Sequence, residues 1–253
     1  MMGERNRMSG NERGLRAESG RNFTYGILQQ LGVDIVTGTY GHANPFPTEA
    51  ELCKRLGASR SVLREAVKML TAKGLLKARP RQGTWIEPER NWNLLDPDVL
   101  RWLLERKFSP SLLLEFTQVR LAIEPVAASL AARHADDKAK AAIQAALRRM
   151  QAAELGDDDP LTSDIAFHVA VLEATGNRFY AQLRDIIDAA LRTSIRLTNR
   201  RKGVRLASVA DHQKVADAIA AGDADGAAIA MRHLIVEAMT LIESAVNKGD
   251  EGE

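Results

Sequence analysis

The stretch SDIAFHVAVL, residues 163–172, carries an aspartate and a histidine within an otherwise apolar run. Asp164 and His168 are four residues apart, so on a helix both side chains project from the same face, one turn apart. An unpaired carboxylate is costly to bury among apolar neighbours, so the pair needs partners. Three interpretations stay open: Asp164 hydrogen-bonds His168, Ser163 and Asp164 cap the start of the helix, or the pair belongs to a site for a metal ion or an anion.

Two further histidines extend this pattern. His212 and His233 lie among apolar neighbours in later segments with helical spacing, whereas His42 lies in a turn and His134 in the last turn of a helix. Any one histidine alone is more often a satisfied core residue than a ligand. If their helices converge, one aspartate and three imidazoles form a set of N and O donors that suits Zn, Ni or Mn.

Charge is distributed unevenly over the 253 residues. Residues 1–90 hold 15 Lys and Arg against 9 Asp and Glu, and the remainder holds 20 against 24, so the net charge of +2 combines halves of +6 and −4. This asymmetry predicts an N-terminal module that meets a polyanion. The single cysteine, Cys53, excludes an internal disulfide, and neither an apolar run of membrane-spanning length nor a signal-peptide core occurs. We expect a cytoplasmic protein with no membrane partner.

Residues 22–88 are predicted to form three helices followed by a hairpin. After an amphipathic segment, PTEAELCKRLG has Thr48 and Glu51 at capping-box spacing and ends at Gly57. Ser59 is the predicted cap of the next helix, SRSVLREAVKMLTAKG, and LLKARPRQGTWIE predicts two strands around a turn. Two short helices joined by a tight turn and followed by a hairpin make a winged helix-turn-helix.

Basic side chains concentrate on the third helix and on the wing. Arg60, Arg64 and Lys68 recur at helical spacing on a face distinct from the apolar one, as reading of the DNA major groove requires. A helix-turn-helix used only for packing is the alternative, but it does not explain the charge. The predicted DNA-binding residues are Ser59, Arg60, Ser61, Arg64, Lys68, Gln82 and Gly83.

Residues 95–248 are predicted to be helical throughout. Asp96 with Pro97, and Ser109 with Pro110, have the pattern of a cap followed by proline at the first helical position. No strand alternation appears, so an antiparallel helical bundle is the economical fold. The predicted organisation is mainly α: a disordered tail over residues 1–21, a winged helix-turn-helix over 22–88, a linker over 89–94, and an all-helical domain for effector binding and dimerisation over 95–248.

The segment FPTEAELCKRLGASRSVLREAVKMLTAKGLL, followed by RQGTWI, resembles the winged-helix domain of GntR-type transcription regulators. The resemblance implies that Arg60 and Arg64 read bases. It also implies backbone contacts by Ser59 and Ser61, and a wing tip formed by Gln82 and Gly83. The sequence departs from the usual pattern at Ala50, Arg81 and Trp85.

The segments DIAFH, DHQKVADAIAAGD and AIAMRHL resemble the FCD ligand domain found in the FadR subfamily of GntR regulators. This resemblance implies that Arg120, in TQVRLAIEP, points toward the acid group of an effector; the alternative is an ion pair with Glu124 at i+4. It also implies a divalent metal ion, with Zn as the first choice and Ni or Mn as alternatives, and an open position for a carboxylate. The implied metal ligands are Asp164, His168, His212 and His233. Further candidates for the effector pocket, unless they are surface residues, are Asn177, Arg192, Ser194 and Arg196.

The segment NWNLLDPDVLRWLLE most resembles that of family members that regulate hexonate catabolism, which implies an aldonic or related sugar acid as effector. Our hypothesis is a homodimeric repressor that binds an inverted repeat of double-stranded operator DNA and is released by this effector. Two other classes stay open: a metal-dependent hydrolase fused to a helix-turn-helix, with Glu173 as its base, and a DNA-architecture protein without an effector. No H-E-x-x-H motif supports the hydrolase, so we expect that the protein is not an enzyme.

Overall fold

The computed structural model describes residues 22–41, 44–79, 83–106, 109–202 and 208–249. The predicted tail over residues 1–21, His42 and the DNA-binding candidate Gln82 lie outside these described residues. The chain divides into two compact units, Met1–Lys107 and Phe108–Glu253. The predicted class, mainly α with a winged helix-turn-helix ahead of an all-helical domain, is confirmed.

The described part of the first unit contains helices, one hairpin and a short 3-10 turn. β1 and β2 are antiparallel, with Leu76 opposite Ile86 and Arg79 opposite Gly83, and they form the predicted wing. The elements in chain order are α1 (22–36), α2 (Glu49–Leu56), α3 (Arg60–Ala72), β1 (Leu76–Arg79), β2 (Gly83–Ile86), the 3-10 turn (Glu89–Asn91) and α4 (Pro97–Arg106).

Local sequence signals set the ends of α2 and α3. The backbone N–H of Thr48 donates to the carboxylate of Glu51 at 2.8 Å, and the Thr48 hydroxyl accepts from the backbone of Glu51, which completes the predicted capping box. Gly57 ends α2 in the left-handed conformation at φ 62°. Ser59 caps α3 by accepting from the N–H of Val62. The two helices are therefore held at the tight turn that the sequence predicts.

Helix α4 belongs to the first unit, whereas residues 95–106 were expected in the helical domain. The indole of Trp102 donates to the side chain of Gln29 at 2.6 Å, and its ring lies so close to Gly32 that a Cβ there would come within 2.4 Å of it. The ammonium group of Lys73 lies 2.8 Å from a carboxylate oxygen of Asp96. These contacts attach α4 to α1 and to the end of α3, within the first compact unit.

The second unit is the predicted helical bundle. Its elements are α5 (Pro110–His134), α6 (Asp137–Leu155), α7 (Pro160–Glu173), α8 (Arg178–Gln182), α9 (Arg184–Lys202), α10 (Val209–Ala221) and α11 (Ala224–Gly249). Among the described helices, none combines the length and apolar character needed to cross a membrane.

The start of α7 corrects one interpretation of its polar residues. Asp159 is the cap, and its side chain accepts from the N–H of Thr162 at 2.7 Å. Ser163 instead donates to the carbonyl of Pro160. The interpretation of Ser163 and Asp164 as helix caps is therefore wrong, because both residues lie inside the helix, where the N–H groups of the next turn already have backbone partners.

Candidate metal centre and nucleic-acid interface

Two helices of the second unit bring three of the four predicted metal ligands together. Asp164 and His168 lie one turn apart on α7, and His212 lies in the first turns of α10. Their ligand atoms all lie within 4.8 Å of one another. Oδ1 of Asp164 is 3.4 Å from Nε2 of His168 and 3.3 Å from Nε2 of His212. All three side chains are buried, so this polar cluster is enclosed in the apolar interior.

Two of the three ligand atoms at this point are not satisfied by hydrogen bonds. Neither Oδ1 of Asp164 nor Nε2 of His212 has a partner among the described residues, although both atoms are buried. Separations of 3.3 and 3.4 Å exceed the length of a good hydrogen bond, which argues against the interpretation of Asp164 and His168 as a simple bonded pair. Around a tetrahedral ion with bonds of about 2.0–2.2 Å, neighbouring donor atoms lie roughly 3.3–3.6 Å apart. The three residues therefore fit a divalent cation.

The imidazole of His212 is oriented for coordination by its other nitrogen. Nδ1 of His212 lies 2.8 Å from the backbone carbonyl of Ser208 and donates to it in the neutral ring. That bond leaves Nε2 with a lone pair directed at Asp164. The ring of Phe167 packs edge-on against His212 with centroids 5.0 Å apart, which restricts rotation of the imidazole.

Glu124, on α5, contacts the centre, although the sequence predicts it only as a partner for Arg120. Its Oε2 lies 2.6 Å from Nδ1 of His168, and its Oε1 accepts from Nε of Arg120 at 2.5 Å. Glu124 is 1% exposed and Arg120 is 3% exposed. The ion pair between Arg120 and Glu124, which was the alternative to an effector contact, is therefore present in the structure. The signal in the sequence is the position of Glu124 between apolar residues in LAIEPVA, where a carboxylate requires partners.

The charges of this cluster stabilise one another. Burial alone would raise the pKa of Glu124, but Arg120 and His168 outweigh it and lower that pKa from 4.5 to about 2. Burial alone would lower the pKa of His168, because it disfavours the charged imidazole. The carboxylates of Glu124 and Asp164 outweigh this effect and raise that pKa from 6.5 to about 9. The imidazoles of His168 and His212 hold the pKa of Asp164 well below its usual range, despite burial.

His233, the fourth predicted ligand, is not part of the cluster. It is exposed on α11, between the buried residues Met231 and Ile235. Two residues along a helix turn a side chain by about 200°, so His233 faces away from the side that buries its neighbours. It lies near the start of α10, where it contributes to lowering the pKa of Asp211 after the larger effects of Lys214 and Ser208. Its role as a ligand stays a prediction.

The remaining effector candidates lie at the start of α8 and on α9. Asn177 is exposed and caps α8 by accepting from the N–H of Phe179 at 2.9 Å. Arg192 forms a bidentate ion pair with Asp188, one turn earlier on α9. Ser194 is buried and Arg196 is exposed. Glu173, the base of the alternative hydrolase, is exposed at the end of α7 rather than at the cluster.

In the first unit, the predicted DNA-binding residues of α3 form one exposed surface. Arg60, Arg64 and Lys68 are exposed, whereas Leu63, Ala66 and Leu70 are buried on the other side of the helix. Nε of Arg64 lies 2.8 Å from a carboxylate oxygen of Glu49, which holds the guanidinium at the start of α2. Ser59 and Ser61 lie at the exposed N-terminus of α3, with their hydroxyl oxygens 3.0 Å apart.

The wing adds further exposed groups. Gly83 begins β2 at φ 91°, a conformation in which a side chain would be strained. Lys77 and Arg79 on β1 are exposed, and Arg79 lies over the ring of Trp85. Long cationic side chains on an exposed helix beside a basic hairpin suit contact with phosphates and base edges.

Comparison with known proteins agrees with both units. The profile of the bacterial regulatory proteins of the gntR family matches residues 24–86, and that of the FCD domain matches residues 115–237. The galactonate operon transcriptional repressor of Escherichia coli is 33% identical over 228 residues, which cover 90% of this chain and 96% of the relative. The chain belongs to the GntR family and carries an FCD domain. This GntR regulator is thus a DNA-binding transcription regulator.

Other relatives of this GntR regulator are also regulators. The HTH-type transcriptional regulator YieP of Escherichia coli is 30% identical over 217 residues, covering 85% of this chain and 93% of the relative. Among solved structures, Lar, which controls expression of the Listeria monocytogenes agr system, covers 87% of this chain and 96% of its own at 17% identity and a TM-score of 0.51. That likeness supports the fold alone. Membership in a family of transcription regulators favours the regulator over the metal-dependent hydrolase.

Proposed function

We propose that this GntR regulator represses an operon for sugar-acid catabolism and is released from its operator by a carboxylate effector bound at a metal centre. One observation carries the metal centre: buried Oδ1 of Asp164 and Nε2 of His212 face each other without hydrogen-bond partners among the described residues. The effector class is supported by the 33% identity to the galactonate operon repressor. Regulation of this kind takes place in the cytoplasm, where the operator is.

The donor set favours zinc. One carboxylate and two imidazoles, from Asp164, His168 and His212, are borderline ligands that suit zinc, with nickel or manganese as alternatives. Three protein ligands leave at least one coordination position open. His233 would occupy a further position only after turning inward from its exposed place on α11.

A bound divalent cation supplies a Lewis-acid position for the carboxylate of the effector. Arg120 is the proposed second contact for that acid group, because a guanidinium pairs with carboxylates in a planar, bidentate manner. Its bonds to Glu124 use Nε and Nη2, so Nη1 takes no part in either bond. Glu124 thereby orients the guanidinium beside His168.

Operator binding is proposed to require a homodimer. Two winged helices related by two-fold symmetry match the two half-sites of an inverted repeat. Effector and operator must then oppose each other reciprocally, so the factor by which the effector weakens DNA binding equals the factor by which DNA weakens effector binding.

The test uses the full-length protein in zinc-loaded and chelator-treated forms. Thermal unfolding is measured with galactonate, other aldonic acids, uronic acids and the matching neutral sugars, and operator affinity is measured by fluorescence anisotropy on a DNA duplex selected by the wild-type protein. We expect one acid to raise the Tm of the zinc-loaded form alone and to weaken DNA binding by roughly 5–150-fold. His212→Ala should lose both effects, whereas the exposed His134→Ala should keep them. DNA affinity that ignores every acid in the presence of zinc would refute the proposal.

A further inference from the structure

We infer that Glu124 is a positioning residue of the metal centre, which fixes His168 with Nε2 toward the cation and strengthens it as a ligand. The inference rests on the proposed metal site at Asp164, His168 and His212. It concerns a residue that does not touch the cation, and it is carried by the two contacts of the Glu124 carboxylate.

The two nitrogens of His168 face opposite partners. Nε2 lies 3.4 Å from Oδ1 of Asp164, on the side where the donor atoms converge. Nδ1 lies 2.6 Å from Oε2 of Glu124. Because the nitrogens lie on opposite edges of the imidazole, Glu124 is on the far side of the ring from the site and is not a further ligand. When His168 is neutral, its proton is held on Nδ1 by this bond, and the lone pair of Nε2 is free to coordinate.

Arg120 keeps the Glu124 carboxylate in place. An ionised carboxylate at 1% exposure is costly without a compensating charge. Arg120 lies one turn earlier on α5 and donates to both oxygens of Glu124, from Nε at 2.5 Å and from Nη2 at 3.4 Å. Glu124 is thus clamped between a permanent cation and the imidazole, which restricts the rotation of both side chains.

The two histidines of the centre differ in the group that their Nδ1 atom contacts. Nδ1 of His212 donates to the neutral backbone carbonyl of Ser208 at 2.8 Å, whereas Nδ1 of His168 faces a carboxylate. A carboxylate partner increases the basicity of a coordinating imidazole, and loss of such a partner typically weakens metal affinity 10–100-fold. His168 is therefore the ligand whose strength depends on a side chain that can be changed without altering the donor set.

The experiment compares zinc affinity by chelator competition in the full-length wild type, Glu124→Gln and Glu173→Gln. Glutamine keeps the size of the side chain but removes its charge, and Glu173 is an exposed glutamate of α7, the helix that carries two of the ligands. We expect Glu124→Gln to bind zinc 10–100-fold more weakly and Glu173→Gln to match the wild type. The absorption spectrum of the cobalt-substituted protein should still show the same number of nitrogen ligands in Glu124→Gln.

The outcomes separate this inference from the proposed function. Tight zinc binding by the wild type with unchanged affinity in Glu124→Gln would overturn the role of Glu124 and leave the metal site standing. A wild type that binds no zinc would overturn both.

A second measurement needs no folded variant of Glu124. In the zinc-loaded wild type with labelled histidine, long-range ¹H–¹⁵N spectra should place a proton on Nδ1 of both His168 and His212. The proton of His168 should be the more deshielded, because its acceptor is a carboxylate. A His168 ring protonated on Nε2 would overturn the inference.

Discussion

Nε2 of His212 and Oδ1 of Asp164 face each other at 3.3 Å in the interior of the FCD domain, and neither atom has a hydrogen-bond partner among the described residues. Buried polar atoms in folded proteins are nearly always paired, so an unpaired carboxylate oxygen beside an unpaired imidazole nitrogen is the pattern expected at a ligand-binding site. The other nitrogen of His212 is already bonded to Ser208, which leaves the orphaned nitrogen free for a cation.

The pKa of His168 predicts how the stability of the metal-free protein depends on pH. This pKa is about 9 in the folded protein against 6.5 for an ordinary histidine, so the charged imidazole stabilises the fold fully below pH 6.5 and ceases to do so as the pH rises through 9. For chelator-treated protein, we expect the midpoint of urea denaturation to fall between pH 7 and pH 9. His168→Asn should show a smaller fall, and an identical fall in that variant would contradict the prediction.

Arg64 should contribute to specific DNA binding. Its side chain is exposed on α3 and is held by Glu49 at 2.8 Å. Arg64→Ala should weaken binding to a duplex selected by the wild-type protein by about 1–3 kcal/mol, which is roughly 5–150-fold, and should relax the preference for one base pair. The control is Arg148→Ala, which removes an exposed arginine of α6. Equal losses in the two variants, measured by fluorescence anisotropy, would indicate that only net charge matters.

Substitution by alanine should destabilise the winged helix more at Gly74 than at Gly57, and both glycines have a left-handed backbone. Gly57 and Gly74 have φ 62° and φ 78°, but only at Gly74 would a Cβ meet backbone, 2.5 Å from the carbonyl oxygen of Asn91. Gly57→Ala should cost about 1–2 kcal/mol for the backbone conformation alone. Gly74→Ala should cost about 1–3 kcal/mol more, because the 3-10 turn must also shift. Urea denaturation of both variants measures the difference in the free energy of unfolding. Equal losses would show that the 3-10 turn shifts without a cost in stability.

His233 should matter less for metal binding than His212. His233 is exposed on α11, whereas His212 is buried with its donor atom in the cluster. Three ligands remain in place without His233, so His233→Ala should weaken zinc affinity by a smaller factor than His212→Ala. Chelator competition measures both. If the two variants lose affinity equally, His233 turns inward when the metal binds, as the family resemblance implies.

Much of the fold follows from local signals in the sequence. The capping box of Thr48 and Glu51, the left-handed Gly57 and the cap at Ser59 each act within a few residues, so their effects are readable from spacing. Helix α4 packs within the first unit through partners that are distant in the chain and cannot be read from local spacing: Trp102 bonds Gln29, 73 residues earlier. Helical periodicity predicts which face of a helix is apolar, but it does not predict which hydrophobic core that face packs against.

The candidate site was predictable to the extent that its residue types are unusual. Asp164, His168 and His212 are polar residues in apolar helices, and the structure brings them together. Glu124 was missed as part of the site because an adequate partner, Arg120, lies one turn away, while its contact with His168 spans 44 residues. His233 has the same apolar surroundings as the others, yet its angle on α11 relative to Met231 turns it outward, and packing rather than composition decides that angle.

The metal content of the purified full-length protein tests the central claim most directly. Elemental analysis after gel filtration in zinc-containing buffer should find about one zinc ion per chain in the wild type and in His134→Ala, because the three buried ligands suffice for a tight site. Asp164→Asn and His212→Ala should fall close to zero. A wild type without stoichiometric metal, or a metal content that survives the loss of both Asp164 and His212, would contradict the account.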